Sequence, residues 1–206
     1  TFTASLTAVS GRDVMVQFST TDGTAKAPGD YTAQPLTTLT IPAGSLTGTV
    51  MVPVVGDTLD EFDETYTVTL TNPTNATILV GQGTGTGTIL DNDPLPALSI
   101  DSPNIVEGDA GTANLSFTVT LAPVSGRDVT VQFSTTDGTA KSPDDFTTQP
   151  LTLLTIPAGS TTATIMVPVV GDLLDEFDET FTATLTNPPN ATIAAGQGTG
   201  TGTILD

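Results

Sequence analysis

The residues of this sequence that could do chemistry are almost all carboxylates, and they gather in short runs. Asp and Glu number 23, against 4 Lys and Arg, and there is no His or Cys. Residues 172–179 hold five acids in eight positions, with no Lys or Arg nearby to pair with them. Such a loop is costly unless cations occupy it. Calcium takes about six to eight oxygen ligands in flexible geometry and matches this donor set. A solvated acidic turn that aids solubility is the alternative interpretation.

The same composition argues against several classes of function. Without His and Cys there are no disulfides, no thiol chemistry and no zinc sites of the usual kind. Paired carboxylates such as Asp175 and Glu176 can act as acid and base in hydrolases, but metal binding accounts better for so acidic a loop, and we expect no enzyme. The net charge of −19 repels nucleic acids and anionic membranes. We therefore expect no nucleic-acid partner and no direct membrane insertion.

An internal repeat organises the chain. Residues 2–91 align without gaps on residues 117–206, and 71 of these 90 pairs are identical. The second copy also has a leader, residues 97–116, that has no counterpart in the first. We expect one domain at 1–93 that lacks its N-terminal strand and a complete one at 94–206, cut from a longer repeat array. The linker has two prolines in three residues, which predicts a short, stiff connection.

Short apolar runs with alternating character, separated by turn residues every 8–12 positions, predict strands throughout. In the second copy these runs are 97–100, 104–106, 113–121, 129–134, 151–156, 163–170, 180–186 and 200–205. Pro168 within one run predicts an edge strand or a bulge. The fold class we expect is all-β, with two tandem seven-stranded immunoglobulin-like antiparallel β-sandwiches, the first lacking its N-terminal strand.

On this frame the acids lie in loops and at strand ends. Asp172 ends one strand and Glu179 begins the next, while Asp206 ends the last strand and Glu107 lies between early ones. In a Greek-key sandwich such loops can meet at one end of the body. The spacing therefore predicts one shared cation site in each copy.

Five ordered signatures, four of which recur in the first copy, carry a family resemblance. They are VEG at 106–108, STTDGTAKSPDDF at 134–146, IPAG at 156–159, VVGDLLDEFDETF at 169–181 and TILD at 203–206. The chain resembles tandem Calx-beta domains, the calcium-binding modules of sodium–calcium exchangers, also seen in an integrin cytoplasmic region and in many bacterial surface proteins.

The resemblance implies Ca²⁺ as the bound ion and a set of carboxylate ligands. Carried over by position, the implied metal ligands are Asp30, Asp57, Glu61, Glu64, Asp91, Asp93, Glu107, Asp145, Asp172, Glu176, Glu179 and Asp206. The first copy lacks the glutamate that corresponds to Glu107, and Gly56 and Gly171 stand where the high-affinity exchanger module has a further Asp. Fewer carboxylates imply one or two ions per module, bound more weakly.

Three functions remain open. The first is a calcium-braced structural or adhesive repeat of a larger secreted or cell-surface protein, of the bacterial type, whose partners are calcium ions, neighbouring repeats and a protein or glycan ligand. In this reading ions also brace the linker at Asp91–Asp93. The second is a calcium sensor in a regulatory region. The third is a carbohydrate-binding module, for which Tyr31, Phe62, Phe146 and Phe177 are the loop aromatics, with Tyr31 and Phe146 expected to pack at the core edge.

Overall fold

The computed structural model describes all residues, Thr1–Asp206, and contains strands but no helix. Accordingly, no helix has the length and apolar character of a membrane span. The chain divides into two compact units. The first comprises Thr1–Thr58 and Phe62–Asn92, and the second comprises Leu59–Glu61 and Asp93–Asp206. The expected all-β fold class is confirmed.

The second unit is a sandwich of two facing sheets. Its strands are β7 (Ala97–Ile100), β8 (Asn104–Val106), β9 (Gly111–Ala122), β10 (Val129–Asp137), β11 (Thr152–Ile156), β12 (Thr162–Gly171), β13 (Glu179–Thr186), β14 (Thr192–Ile193) and β15 (Thr199–Leu205). One sheet has the order β11-β10-β13-β15-β8 and the other β12-β9-β7-β14. Counting β7 and β8 as one interrupted strand gives the expected seven strands, plus the two-residue β14.

Two pairings in the second unit are parallel, which the expectation of purely antiparallel sheets did not include. β8 pairs with β15, and β7 with β14, in parallel register. β7 and β8 are the two halves of the interrupted first strand, and they lie in different sheets. Each half pairs with a strand that runs parallel to it. Among the strands, β12 pairs only with β9 and lies at a sheet edge, so Pro168 removes no ladder hydrogen bond from a central strand.

Inward-facing residues of both sheets form one apolar core in the second unit. Phe117, Phe146, Phe181, Val119 and Ile165 are at most 1% exposed. Along β10 the alternation of Val129, Val131 and Phe133 with outward polar residues is the pattern of a half-buried strand. This core fixes the faces of β10, β12 and β13 and therefore the loops at their ends.

The first unit repeats this plan with fewer strands. They are β1 (Phe2–Ser5), β2 (Val14–Asp22), β3 (Thr37–Ile41), β4 (Thr47–Val50), β5 (Glu64–Thr74) and β6 (Thr84–Ile89). β1 pairs with β4, and the other four form a sheet of order β3-β2-β5-β6. No strand of this unit corresponds to β7 or β8, because the residues of the leader occur only before the second copy.

The first unit also contains an open cavity of about 720 Å³ between its sheets, with Phe2, Val16 and Ile78 among its walls. In the second unit, the residue that aligns with Ile78 is Ile193, which pairs with Leu98 of β7. The cavity therefore lies on the side where β7 covers the core of the second unit.

Candidate calcium site

Three carboxylates come together at one end of the second unit. Oxygens of Asp145, Glu176 and Glu179 all lie within 4.8 Å of one another. Asp145 follows the turn after β10, Glu176 lies in the loop between β12 and β13, and Glu179 is the first residue of β13. We call these three the Glu179 group. It joins two segments that are 31 residues apart in sequence (176 minus 145).

Backbone hydrogen bonds hold Asp145 in place. The Lys141 amide donates to Asp145 Oδ2 over 2.6 Å, and the Asp145 amide donates to the Lys141 carbonyl over 2.9 Å. The Val170 amide donates to the Asp145 carbonyl over 2.9 Å, which ties the turn to the end of β12. Asp145 is thus fixed by the turn and by the neighbouring strand, and its position does not depend on a bound ion.

Two stacked rings bring Asp145 and Glu179 towards each other. Phe146 follows Asp145 directly, and Phe181 is two residues after Glu179 on the same face of β13. The ring centroids are 4.2 Å apart with an interplanar angle of 10°, and both side chains are fully buried. Packing at the core edge therefore positions two of the three carboxylates.

The remaining predicted acids of the second copy surround this group. Glu107 follows β8, and its amide donates to the carbonyl of Leu205, next to Asp206. The Leu174 amide donates to Asp172 Oδ1 over 2.7 Å, which turns the start of the loop. Gly171 allows the close approach of these segments, because a Cβ there would lie 2.2 Å from the Gly108 carbonyl oxygen.

The charges of these acids act on one another. Burial is the main cause that raises the pKa of Glu107, and Asp172, Asp206, Glu176 and Asp145 raise it further. Burial raises the pKa of Glu176 as well, followed by the charges of Asp145, Asp172 and Asp206. All six acids predicted for this copy therefore share one electrostatic environment at the end of the sandwich.

Glu179 is the most perturbed member. Burial first, then its hydrogen bond with Asp145 and the charges of Asp145 and Glu176, raise the pKa of Glu179 to about 7. The Lys141 charge lowers this pKa in part, although Lys141 forms no ion pair with the acids of the run. The Lys141 ammonium donates to the Gly138 carbonyl over 2.5 Å. One basic residue thus offsets only part of the repulsion among six acids.

The donor set fits calcium. Each ligand atom of the Glu179 group is a carboxylate oxygen, and the surrounding acids add further oxygens, as calcium coordination requires. Zinc prefers His nitrogen and Cys sulfur ligands, and this chain has neither residue. A divalent cation would remove the repulsion that raises the Glu179 pKa, because it stabilises the ionised form.

The first copy has the same three positions in a second such group, Asp30, Glu61 and Glu64. Asp30 is held as Asp145 is: the Lys26 amide donates to its Oδ2 over 2.5 Å, and the Val55 amide donates to its carbonyl over 2.9 Å. Tyr31 stacks on Tyr66 with centroids 4.4 Å apart. The two copies therefore build this corner from the same local interactions.

The other ligands predicted for the first copy lie outside that group of three. They are Asp57, Asp91 and Asp93, and their role as ligands stays a prediction. The Asp91 amide donates to Asp63 Oδ1 over 2.9 Å, so an acid that was not among the predicted ligands positions the end of β6.

Asp60 is a residue whose role the sequence reasoning missed. It is 1% exposed and belongs to the second unit, where it accepts hydrogen bonds from Arg127 Nη2 at 2.6 Å and Ser125 Oγ at 3.0 Å. The Arg127 hydrogen bond is the main cause that holds the pKa of Asp60 below its ordinary value. The partners are 67 residues apart (127 minus 60), and no spacing rule connects them.

The loop aromatics divide into two kinds. Tyr31 and Phe146 are at most 1% exposed, which confirms that they pack at the core edge. Phe62 and Phe177 are 69% and 92% exposed. Two of the four aromatics considered for sugar stacking are thereby removed from consideration.

Comparison with known proteins gives one family and several similar solved structures. The family model of the Calx-beta domain matches residues 2–93 and again residues 91–206. Among solved structures, the apo-form Calx CBD1 domain is 24% identical with a TM-score of 0.49, covering 55% of this chain and 98% of that one. CBD12 from CALX1.2 is 22% identical with a TM-score of 0.42, covering 92% and 75%. The Calx CBD2 domain is 13% identical with a TM-score of 0.46, covering 53% and 84%.

The search of curated proteins gives no match. Family membership is established by the two matches of the family model, which together span nearly the whole chain. The resemblance seen in the sequence signatures is confirmed: this chain belongs to the Calx-beta domain family, of which it contains two tandem members.

Proposed function

We propose that the chain is a calcium-binding structural or adhesive repeat of a larger secreted or cell-surface protein. The observation that carries the proposal is the Glu179 group, three carboxylates within 4.8 Å in which burial first, and then repulsion between the acids, raises the pKa of Glu179 to about 7. A divalent cation removes that repulsion and links the turn at Asp145 to the loop at Glu176.

The distribution of anchors favours a brace over a sensor. Asp145 is held by backbone hydrogen bonds from two segments, and Glu179 begins a strand whose Phe181 is buried. The loop from Asp172 to Asp178 is exposed throughout. A bound ion would therefore order this loop against a rigid edge, with little change in the sandwich itself.

Calorimetric titration of chelator-treated protein with calcium tests this function. We expect binding heat and a rise in melting temperature at millimolar calcium, and both should weaken in Glu179→Gln. Asp175→Asn is the matched control, because Asp175 lies in the same loop but outside the group. Absence of heat and of any thermal shift in the unmodified protein would refute the proposal.

Solution scattering separates the brace from the sensor. At concentrations where the chain is monomeric, a brace gives superimposable profiles with and without calcium, whereas a regulatory sensor gives a large change at low calcium. The localisation is tested separately, by locating the natural full-length protein in fractionated cells.

A glycan-binding role is the second candidate, and the exposure of Phe177 favours it. This ring is 92% exposed in the acidic loop, where it could stack on a sugar face beside a calcium ion. A glycan array probed with the unmodified chain and with Phe177→Ala tests it. Binding that Phe177→Ala abolishes would support this role, and an array without signal would remove it.

A further inference from the structure

A three-residue segment of the chain is docked on a turn of the second unit. The segment is Leu59–Glu61, and the turn is Ser125–Arg127 between β9 and β10; we call them the Leu-Asp-Glu segment and the Ser-Gly-Arg turn. The two run side by side through a β-bridge between Asp60 and Ser125. The Gly126 amide donates to the Asp60 carbonyl over 3.0 Å.

The Asp60 carboxylate is the centre of this contact. Arg127 donates to it through Nε at 2.9 Å and Nη2 at 2.6 Å, and Ser125 Oγ donates at 3.0 Å. Such a two-pronged guanidinium–carboxylate pair is stronger than a neutral hydrogen bond and fixes orientation as well. Asp60 is 1% exposed, so its carboxylate is buried in this contact.

Glycine at the centre of the turn is required for this fit. A Cβ added at Gly126 would lie 2.6 Å from Glu61 Oε1, 2.7 Å from Glu61 Cγ and 3.0 Å from Leu59 Cδ2. The docked segment therefore lies directly against the backbone of the turn.

Both elements occur a second time in the chain. The first unit has a Ser-Gly-Arg turn at Ser10–Arg12, and the second unit has a Leu-Asp-Glu segment at Leu174–Glu176. Neither is engaged by a counterpart. Asp175 is exposed and makes no hydrogen bond or ion pair, and Leu174 is 63% exposed.

The turn of the first unit shares two hydrogen bonds with the turn at Ser125–Arg127. The Arg12 amide donates to Ser10 Oγ at 3.1 Å, as the Arg127 amide does to Ser125 Oγ at 3.2 Å. The amides of Gly44 and Gly159 donate to the carbonyls of Ser10 and Ser125, each over 2.9 Å.

The environments of these two turns differ where the segment docks. A Cβ added at Gly11 would meet no atom within 4 Å. Ser10 Oγ donates to the Arg12 carbonyl at 2.7 Å, whereas Ser125 Oγ donates to Asp60. Arg12 is exposed and takes part in no ion pair. The turn at Ser10–Arg12 thus has the same residues as the turn at Ser125–Arg127, and its surface is exposed where the second turn contacts Leu59–Glu61.

We propose that the Leu-Asp-Glu segment at Leu174–Glu176 docks on the Ser-Gly-Arg turn at Ser10–Arg12 of a second copy of this chain. The contact places Asp175 on Arg12 and Ser10, as Asp60 lies on Arg127 and Ser125. Each chain carries one unengaged segment and one unengaged turn, so the association is heterologous and can add further copies. The surface is small and the chain carries a net charge of −19, so the affinity is weak and depends on calcium and salt to screen repulsion.

Sedimentation velocity in calcium and physiological salt tests this, with protein up to about 1 mM because small interfaces give affinities in that range. We expect a mass that rises with concentration in the unmodified chain. Arg12→Asp and Asp175→Arg should each weaken association by more than about 30-fold, since each places like charges together.

Sedimentation of a mixture of these two variants is the decisive experiment. Arg12→Asp keeps a working segment and Asp175→Arg keeps a working turn, so mixing the two should restore at least a one-to-one dimer that neither forms alone. A chain that stays monomeric at about 1 mM, variants that associate like the unmodified chain, or a mixture without a dimer would each overturn the proposal.

Gly11→Ala guards against a folding artefact. Its Cβ meets no atom within 4 Å, so the melting temperature should be unchanged while association is lost. Gly11 is also remote from the Glu179 group, so Gly11→Ala should keep the full calcium-binding heat. Loss of association with intact calcium binding distinguishes a failure of this contact from a failure of the proposed calcium function.

Discussion

Replacing Glu179 by Gln should raise stability without calcium and lower it with calcium. In the calcium-free protein the pKa of Glu179 is raised from 4.5 to about 7. Above pH 7 the folded state therefore contains an ionised group that its surroundings disfavour. Gln has no charge, yet its amide can still donate to Asp145, so the substitution removes the penalty and keeps the hydrogen bond.

The magnitude follows from the pKa. At about 1.36 kcal/mol per pH unit, the shift sets an upper limit of about 3 kcal/mol. Glu179 is partly exposed, and solvent screening lowers the expected gain to about 1 kcal/mol. For a unit of this size, that corresponds to a rise in melting temperature on the order of 4 °C at pH 8.

With calcium the sign reverses. An ion at 100 times its Kd stabilises the unmodified protein by about 2.7 kcal/mol, and Glu179→Gln loses most of this because it loses a ligand. Differential scanning calorimetry at pH 8, in chelator and in excess calcium, measures both effects. Asp175→Asn should change neither. A variant that is destabilised in chelator, or that keeps the full calcium shift, would refute the reasoning.

Three further predictions follow from the same geometry. Because the folded-state pKa of Glu179 is raised, calcium-free protein should gain stability as the pH falls from about 7 towards 4.5. Thermal melts in chelator at about pH 7.5 to 5 should show this gain as a rising melting temperature. A falling melting temperature over that window would contradict the pKa assignment. Gly171→Ala should destabilise the second unit by about 2 kcal/mol or more and weaken calcium binding, because its Cβ would collide with the Gly108 carbonyl. Gly56→Ala at the equivalent position is the control, because its Cβ meets nothing within 4 Å. This control should change neither the denaturant melts nor the calcium titrations. Phe181→Ala should cost about 3–5 kcal/mol in urea unfolding, because the ring is fully buried and stacks on Phe146, and a loss below about 1 kcal/mol would show that the stack does not anchor the site.

Much of the fold could be predicted because it depends on local pattern. Alternation along β10 and β13 and the turn residues between strands depend on nearest neighbours in the chain, so strand positions were predicted to within a few residues. The two parallel pairings could not be predicted in this way. They depend on β7 and β8 joining different sheets, which is decided by how the whole sandwich closes.

For the site, the sequence by itself determined the chemistry. An excess of carboxylates over basic residues, with no His or Cys, leaves oxygen ligands alone, and the repeated signatures indicated the family that the family model confirmed. Only the tertiary structure decided which acids meet. It brought Asp145 to Glu179 through two stacked rings, and it buried Asp60 against Arg127, 67 residues away. The physical reason is that ligand type is a property of single residues, whereas proximity and pKa depend on packing between segments that are distant in the chain.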